Sequence, residues 1–204
     1  MYEISFFFSG FHLLATIPLW FAVETPPRGL YHSLVVGAAL MEFLILKKFP
    51  TLYSPIPMHF FAALHLLVGI NAFTAAGNQT PARAKRSEFS GIQNAVKYFW
   101  CAANLISAIF FFVDPQGTAS FYVAQEGYVC APHAAATLWV FGIVLLYSVA
   151  LIYHSEGKKN LMLFLAMSAL GQALNLFHLN PNIFMGPAYA LPVLLMVSAL
   201  IMTQ

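Results

Sequence analysis

A carboxyl group and two imidazoles lie within apolar stretches of this sequence. Glu42 lies in the stretch Ala39–Leu44, and His65 and His12 lie in two other apolar stretches. An ionisable side chain in hydrocarbon is costly, so each of the three is a functional hypothesis by default. Burial favours the protonated form of a carboxyl, which makes Glu42 a candidate general acid or base. His65 and His12 are candidates to support it, because imidazoles exchange protons near neutral pH.

Structural roles are the alternative for the same residues. Glu42 lies about one helical turn from the end of its apolar stretch, where it could pair with Lys47 or Lys48. His12 could bond to a backbone carbonyl inside a helix bundle. Under this interpretation the three groups anchor helices and take no part in a reaction.

Polar residues in two further apolar stretches follow helical spacing. They are separated by four and then three residues: Lys97, Cys101 and Asn104 in one stretch, and Ser168, Gln172 and Asn175 in the other, with His178 three residues further on. Such spacing places each set on one face of a helix. These faces should turn away from lipid, either to hold helices together or to form a polar pocket. The predicted pocket is lined by Glu42, His65, His12, Asn104, Gln172 and Asn175, with Trp100 among its aromatic walls.

Metal, haem and nucleophile chemistry have weaker support in the sequence. His59, His133 and His178 come from three stretches at similar predicted depth and are the candidate metal ligands, although no motif places two ligands on one helix. His12 and His65 lie at similar predicted depths in the membrane, as the two ligands of a bis-histidine haem would, but the sequence gives no other support for haem. No G-x-S-x-G motif is present, and Cys101 has no identifiable base beside it. The sequence therefore leaves the cofactor undetermined.

Membrane-spanning helices must position these residues. Of the 204 residues, 60% are hydrophobic and 8% are charged, whereas soluble domains carry about 25% charged residues. A spanning helix needs about 20 predominantly apolar residues. Seven segments qualify, which predicts one all-α transmembrane domain over residues 1–204: residues 4–23, 29–46, 57–76, 92–113, 131–154, 161–178 and 183–202.

The distribution of basic residues predicts the orientation of this bundle. With alternating spans, one side holds Arg28, Arg83, Lys85, Arg86, Lys158 and Lys159, and the other holds only Lys47 and Lys48. The side richer in Lys and Arg faces the cytoplasm. The N-terminus should therefore lie outside or in a lumen, and the C-terminus in the cytoplasm. The aromatic segment 114–130 should lie partly in the outer membrane interface.

The second predicted span resembles one helix of a known enzyme family. Small seven-span membrane terpene cyclases of meroterpenoid pathways carry an acidic residue on helix two, and Glu42 in Ala39–Leu44 occupies a similar place. That family carries a second acidic residue on helix seven, and residues 183–202 contain none. The resemblance covers about one helix.

Three functions are compatible with these observations. The first is an intramembrane enzyme that uses acid–base chemistry on a lipid or isoprenoid-like substrate in the outer half of the bundle. The second is a non-catalytic membrane subunit or scaffold, and the third is a small transporter or proton path. We expect membrane lipids, an apolar small molecule or membrane proteins as partners, and no nucleic acid, because the sequence has no dense basic stripe.

Overall fold

The computed structural model describes residues 89–122, 129, 131–155, 157–178 and 186–204, together with Lys47, His59, Phe60, Ala63, Leu67 and Ile70. Every element in the described ranges is helical, which confirms the all-α class. The helices are α1 (Gly91–Val113), α2 (Pro115–Tyr122), α3 (Pro132–His154), α4 (Lys158–His178) and α5 (Gly186–Ile201). Four of them match the last four predicted spans. The first two predicted spans and most of the third lie outside the described residues.

Reciprocal hydrogen bonds begin α1 at Ser90. The Ser90 hydroxyl accepts a bond from the Gln93 backbone N–H at 3.5 Å, and the Gln93 side-chain oxygen accepts from the Ser90 N–H at 2.9 Å. This capping box satisfies two backbone donors that the first turn of a helix leaves without partners.

The Asp114-Pro115 pair ends α1 and begins α2. Proline disfavours the helical conformation in the residue before it, so α1 stops at Val113. The Asp114 carboxylate then accepts from the Gly117 N–H at 2.8 Å and caps α2. An added Cβ at position 117 would meet that carboxylate, so the Asp114 side chain would have to shift from its capping position.

Helices α1 and α3 pack against each other in antiparallel directions. As positions advance along α1, their partners recede along α3: Lys97 with Ser155, Cys101 with Val149, Phe111 with Phe141, and Phe112 with Trp139. Phe112 closes tightly over Gly142, where an added Cβ would lie 2.9 Å from its ring. The glycine therefore allows the ring to approach the α3 backbone.

Helices α4 and α5 form a second closely packed pair, and one hydrophobic core joins both pairs. The core contains Phe89, Trp100, Cys101, Leu151, Ile152, Leu161, Phe164, Leu165, Ala169, Leu195, Ala199 and Met202. Most of these residues come from the beginnings of α1 and α4 and the ends of α3 and α5. These four termini therefore meet at one end of the bundle, which we call the basal end.

The outer face of α1 is strongly apolar. Its large exposed side chains recur at spacings of three, four and seven residues: Ile92, Tyr98, Phe99, Leu105, Ile106, Ile109, Phe110 and Val113. The same pattern continues on α5 with Val193, Leu194, Met196, Val197 and Leu200. Exposed apolar stripes of this extent are typical of surfaces that contact lipid or another protein.

Among the described helices, α1 alone is both long enough and apolar enough to cross a membrane, with shorter apolar helices at Phe141–His154 and Ala188–Met202. The 23 residues of α1 reach about 35 Å at 1.5 Å per residue, compared with a hydrocarbon core about 30 Å thick. In the third predicted span, Phe60, Ala63, Leu67 and Ile70 are helical and exposed. Their spacing again defines one apolar face.

Candidate functional site

The first half of the buried face of α1 carries several polar residues, which is unusual for a helix in a soluble protein. Gln93, Lys97, Cys101 and Asn104 are separated by four, four and three residues, and each is 9% exposed or less. This confirms the prediction that Lys97, Cys101 and Asn104 share an inward face. A helix with polar residues inside and large apolar residues outside fits an apolar surrounding medium.

At the basal end, the polar groups of this face bind the carbonyls of neighbouring helices. The Lys97 ammonium donates to the backbone carbonyl of Ser155 at 2.6 Å and lies 5.0 Å from the centre of the Phe89 ring. Ser155 follows the last residue of α3, so the cation lies where the helix dipole is negative. The Gln93 amide donates to the carbonyl of Ile201, the last residue of α5, at 3.3 Å. Side chains of α1 thus hold the ends of α3 and α5.

Cys101 continues this pattern one turn deeper. Its thiol lies 3.8 Å from the carbonyl oxygen of Val149, within the range of a weak sulfur hydrogen bond. The thiol is buried in the core between α1 and α3. This environment fits packing better than nucleophilic chemistry, because a reactive cysteine needs a nearby base or cation and access to a substrate.

Polar groups at mid-depth lack such partners. The Trp100 indole nitrogen, the Asn104 amide nitrogen and the Ser168 hydroxyl are buried without a hydrogen-bond partner among the described residues. The three side chains are 4%, 7% and 2% exposed. Counted from the starts of α1 and α4, they lie roughly 14 to 20 Å from the basal end. A buried donor without a partner costs about 1 to 3 kcal/mol.

One of these groups, Trp100, belongs to the hydrophobic core that joins the two helix pairs. Trp100 packs in the same core as Phe164, Leu165 and Ala169 of α4. Ser168 follows Phe164 by four residues and Leu165 by three, so it lies on the same side of α4. Asn104 lies one turn after Trp100 on the buried face of α1. The region around Trp100, Asn104 and Ser168 is hereafter called the mid-depth site.

The structure describes only some of the site residues that the sequence predicts. Trp100 and Asn104 are buried in the bundle, and Gln172 is half-buried in α4. Asn175 is a helical residue of α4, but its side chain lies outside the described set. Glu42, His65 and His12 also lie outside the described residues. The convergence of these three residues on α1 and α4 therefore stays a prediction.

The candidate metal ligands are only partly described. His59 is helical and exposed, whereas His133 in α3 and His178 in α4 are described in their backbone alone. Within the described part of the chain, no group of three or more His, Cys, Asp or Glu side chains could hold a metal ion.

The sequence did not predict two buried polar residues, Gln93 in α1 and Ser168 in α4, as part of the site. Gln93 had a detectable signal, because Ser90 and Gln93 before an apolar run match the capping-box pattern. Ser168 was recognised as part of a polar helix face, but it was not predicted as a site residue. Its burial beside Leu165 and Ala169 depends on the packing of α4 and could not be found from spacing alone.

No protein-family model matches this chain, and no curated protein or solved structure is significantly similar to it. The contacts of α1, α3, α4 and α5 are therefore the basis for assigning a function.

Proposed function

We propose that the chain is an integral membrane protein of about seven spans that binds a lipid or isoprenoid-like molecule within its bundle and acts on it by acid–base chemistry. The carrying observation is a pair of donors, on Trp100 and Asn104, that have no partner among the described residues and are buried on a helix whose outer face is apolar. Buried polar groups in proteins nearly always have partners, so exceptions require an explanation. A bound molecule would supply the missing acceptor.

The bilayer location is supported by the two faces of α1. Its exposed face presents residues such as Ile106, Ile109 and Phe110, which are 50% exposed or more. In water such a stripe would favour aggregation, whereas in lipid it carries no comparable penalty. The basal end carries Lys158 and Lys159, which supports a cytoplasmic basal end and an outward-facing N-terminus.

In this proposal the catalytic groups approach the mid-depth site from the first three spans. Glu42 is the general acid or base, and His65 and His12 exchange protons with it. Trp100 and Asn104 orient the substrate from α1, and Gln172 and Asn175 orient it from α4. Counted from Gly91, Asn104 lies about 20 Å from the basal end, a depth that supports a substrate site in the outer half of a 30 Å hydrocarbon core.

Lipid analysis followed by a turnover assay tests the proposal. The full chain, purified in mild detergent, should retain an isoprenoid or other neutral lipid that is detected by mass spectrometry after solvent extraction. That lipid is then supplied to the protein in liposomes and its conversion is followed. Glu42→Gln should abolish conversion, and Glu126→Gln, in the segment between the fourth and fifth predicted spans, is the matched control. Unchanged conversion by Glu42→Gln refutes the role of Glu42.

A membrane subunit is the second candidate, favoured by the same exposed apolar faces of α1 and α5. Partner proteins could cover these faces in place of lipid. Purification in mild detergent separates the two functions, because a subunit should co-purify with defined partners. A stable single species that retains a lipid supports the first function.

A further inference from the structure

We infer that the molecule bound at the mid-depth site presents an uncharged oxygen acceptor, such as the carbonyl of a ketone, ester or amide, to Trp100 and Asn104. This inference rests on the proposed function and narrows its ligand class. It follows from which hydrogen-bonding groups are unpartnered, where they lie and what charge surrounds them.

The first step is the chemistry of the two donors. An indole N–H can only donate, and the unpartnered atom of Asn104 is its amide nitrogen, which also donates. A complementary ligand must therefore offer an acceptor. Trp100 and Asn104 are four residues apart, so they lie on one helix face a single turn apart. A carbonyl oxygen has two lone pairs and can accept from both groups.

The second step excludes a hydrocarbon as the preferred ligand. A pure hydrocarbon would leave the Trp100 and Asn104 donors, and the Ser168 hydroxyl, without hydrogen bonds. A ligand of equal size that carries an acceptor satisfies at least one of them. The site should therefore distinguish an oxygenated lipid from the hydrocarbon of the same length.

The third step concerns charge. Trp100, Asn104 and Ser168 are all neutral, and Lys97 is the one basic residue in α1. Lys97 lies seven residues from Asn104, about 10 Å along the helix, and its ammonium binds the Ser155 carbonyl at the basal end. A carboxylate or phosphate at mid-depth would thus lack a described counter-charge, which is unfavourable in hydrocarbon. The acceptor should be uncharged.

Binding of three matched probes tests this inference. The probes are a tritiated isoprenoid methyl ketone, the isoprenoid hydrocarbon of equal length and the corresponding carboxylate, measured with the full chain in detergent micelles. The ketone should bind about tenfold more tightly than the other two, since one net hydrogen bond is worth about a factor of ten. Asn104→Leu should remove most of this preference, because the ketone loses one of its two donors. Ile106→Leu, on the exposed face of α1, is the control and should keep the preference.

Indole NMR gives a second readout on the wild-type protein. With ¹⁵N-labelled tryptophan, the Trp100 indole signal, assigned with Trp100→Phe, should move downfield on addition of the ketone and stay in place with the hydrocarbon. Trp20 and Trp139 serve as internal references.

The outcomes separate the inference from the proposed function. Equal binding of ketone and hydrocarbon, with no indole shift, overturns the acceptor inference and leaves lipid binding intact. Tightest binding of the carboxylate overturns the neutral class. If none of the three probes binds, both the inference and the proposed lipid-binding function are overturned.

Discussion

The basal end and the mid-depth site of the bundle use similar polar residues in opposite ways. At the basal end, Lys97 and Gln93 each donate to a backbone carbonyl at the end of another helix. At mid-depth, Trp100 and Asn104 lie on the same face of α1 and donate to no described acceptor. Both regions are buried, so exposure to water does not account for the difference.

We interpret the difference as a division between polar residues that stabilise the fold and polar residues that would contact the proposed ligand. The last carbonyls of a helix have no partner within that helix, and in a membrane they must be satisfied by other groups. Lys97 and Gln93 meet this need for α3 and α5. Backbone carbonyls inside a helix already accept from the N–H groups of that helix, so they are less available to side-chain donors at mid-depth. The proposed ligand would supply an acceptor there.

The largest effect should come from removing the Lys97 ammonium. Lys97→Met keeps the length of the side chain but leaves the Ser155 carbonyl without its charged donor. We expect the free energy of unfolding to fall by about 2 kcal/mol, the usual contribution of a hydrogen bond to a charged group. Titration with a denaturing detergent, followed by circular dichroism, measures this change.

Lys159→Met is the control for Lys97→Met, because Lys159 is an exposed lysine near the same end. Its unfolding free energy should change by less than about 0.5 kcal/mol. Equal stability of Lys97→Met and the wild type would mean that the basal end is not held by this contact.

A smaller loss should follow Gln93→Leu. This substitution removes the bond to the Ile201 carbonyl and one half of the capping box with Ser90. We expect a destabilisation of about 1.5 kcal/mol, measured by the same titration. Gln116→Leu, at an exposed position of α2, should have little effect. If the two variants are equally stable, the attachment of α1 to α5 is unimportant.

The sequence predicts the helices of the described region better than it predicts their partners. Helices α1, α3, α4 and α5 lie within three residues of the bounds predicted for the last four apolar segments, because long apolar runs between charged or proline-rich segments define them. The sequence predicts that the segment containing α2 lies partly in the membrane interface, and it gives no prediction of a helix there. Asp114 followed by Pro115 is a helix-start signal that would have identified it.

The candidate site is only partly predictable, for a physical reason. Helical spacing placed Lys97, Cys101 and Asn104 on one face, and their burial confirms this. It could not distinguish the bound groups from the unpartnered ones, because the partners of Lys97 and Gln93 are backbone carbonyls. Every residue has a carbonyl, so the sequence carries no signal for which one lies within reach.

Removing an unpartnered donor should raise the free energy of unfolding, whereas the substitutions of Lys97 and Gln93 should lower it. Asn104→Leu replaces a buried amide with an apolar group of similar size, so the ligand-free protein should gain about 1 kcal/mol of stability. Asn94→Leu is the matched control, since the Asn94 amide donates to the Phe89 carbonyl at 3.3 Å and its loss should destabilise. Unfolding is measured after the lipid has been removed. A destabilised Asn104→Leu variant would show that Asn104 has a partner in the protein itself.

The smallest expected effect concerns two buried serines, which form the most closely matched pair of variants. Ser148 in α3 donates to the Val144 carbonyl at 2.9 Å, whereas the Ser168 hydroxyl in α4 has no partner among the described residues. Both are 2% exposed or less, so substitution by alanine removes the same group from similar surroundings. Ser148→Ala should lose about 0.5 kcal/mol and Ser168→Ala should gain a similar amount. Because the chemistry of the change is identical, a difference in sign can come only from whether the hydroxyl is bonded. If both substitutions change the stability of the lipid-free protein in the same direction, the distinction between hydrogen-bonded and unpartnered buried hydroxyls is lost.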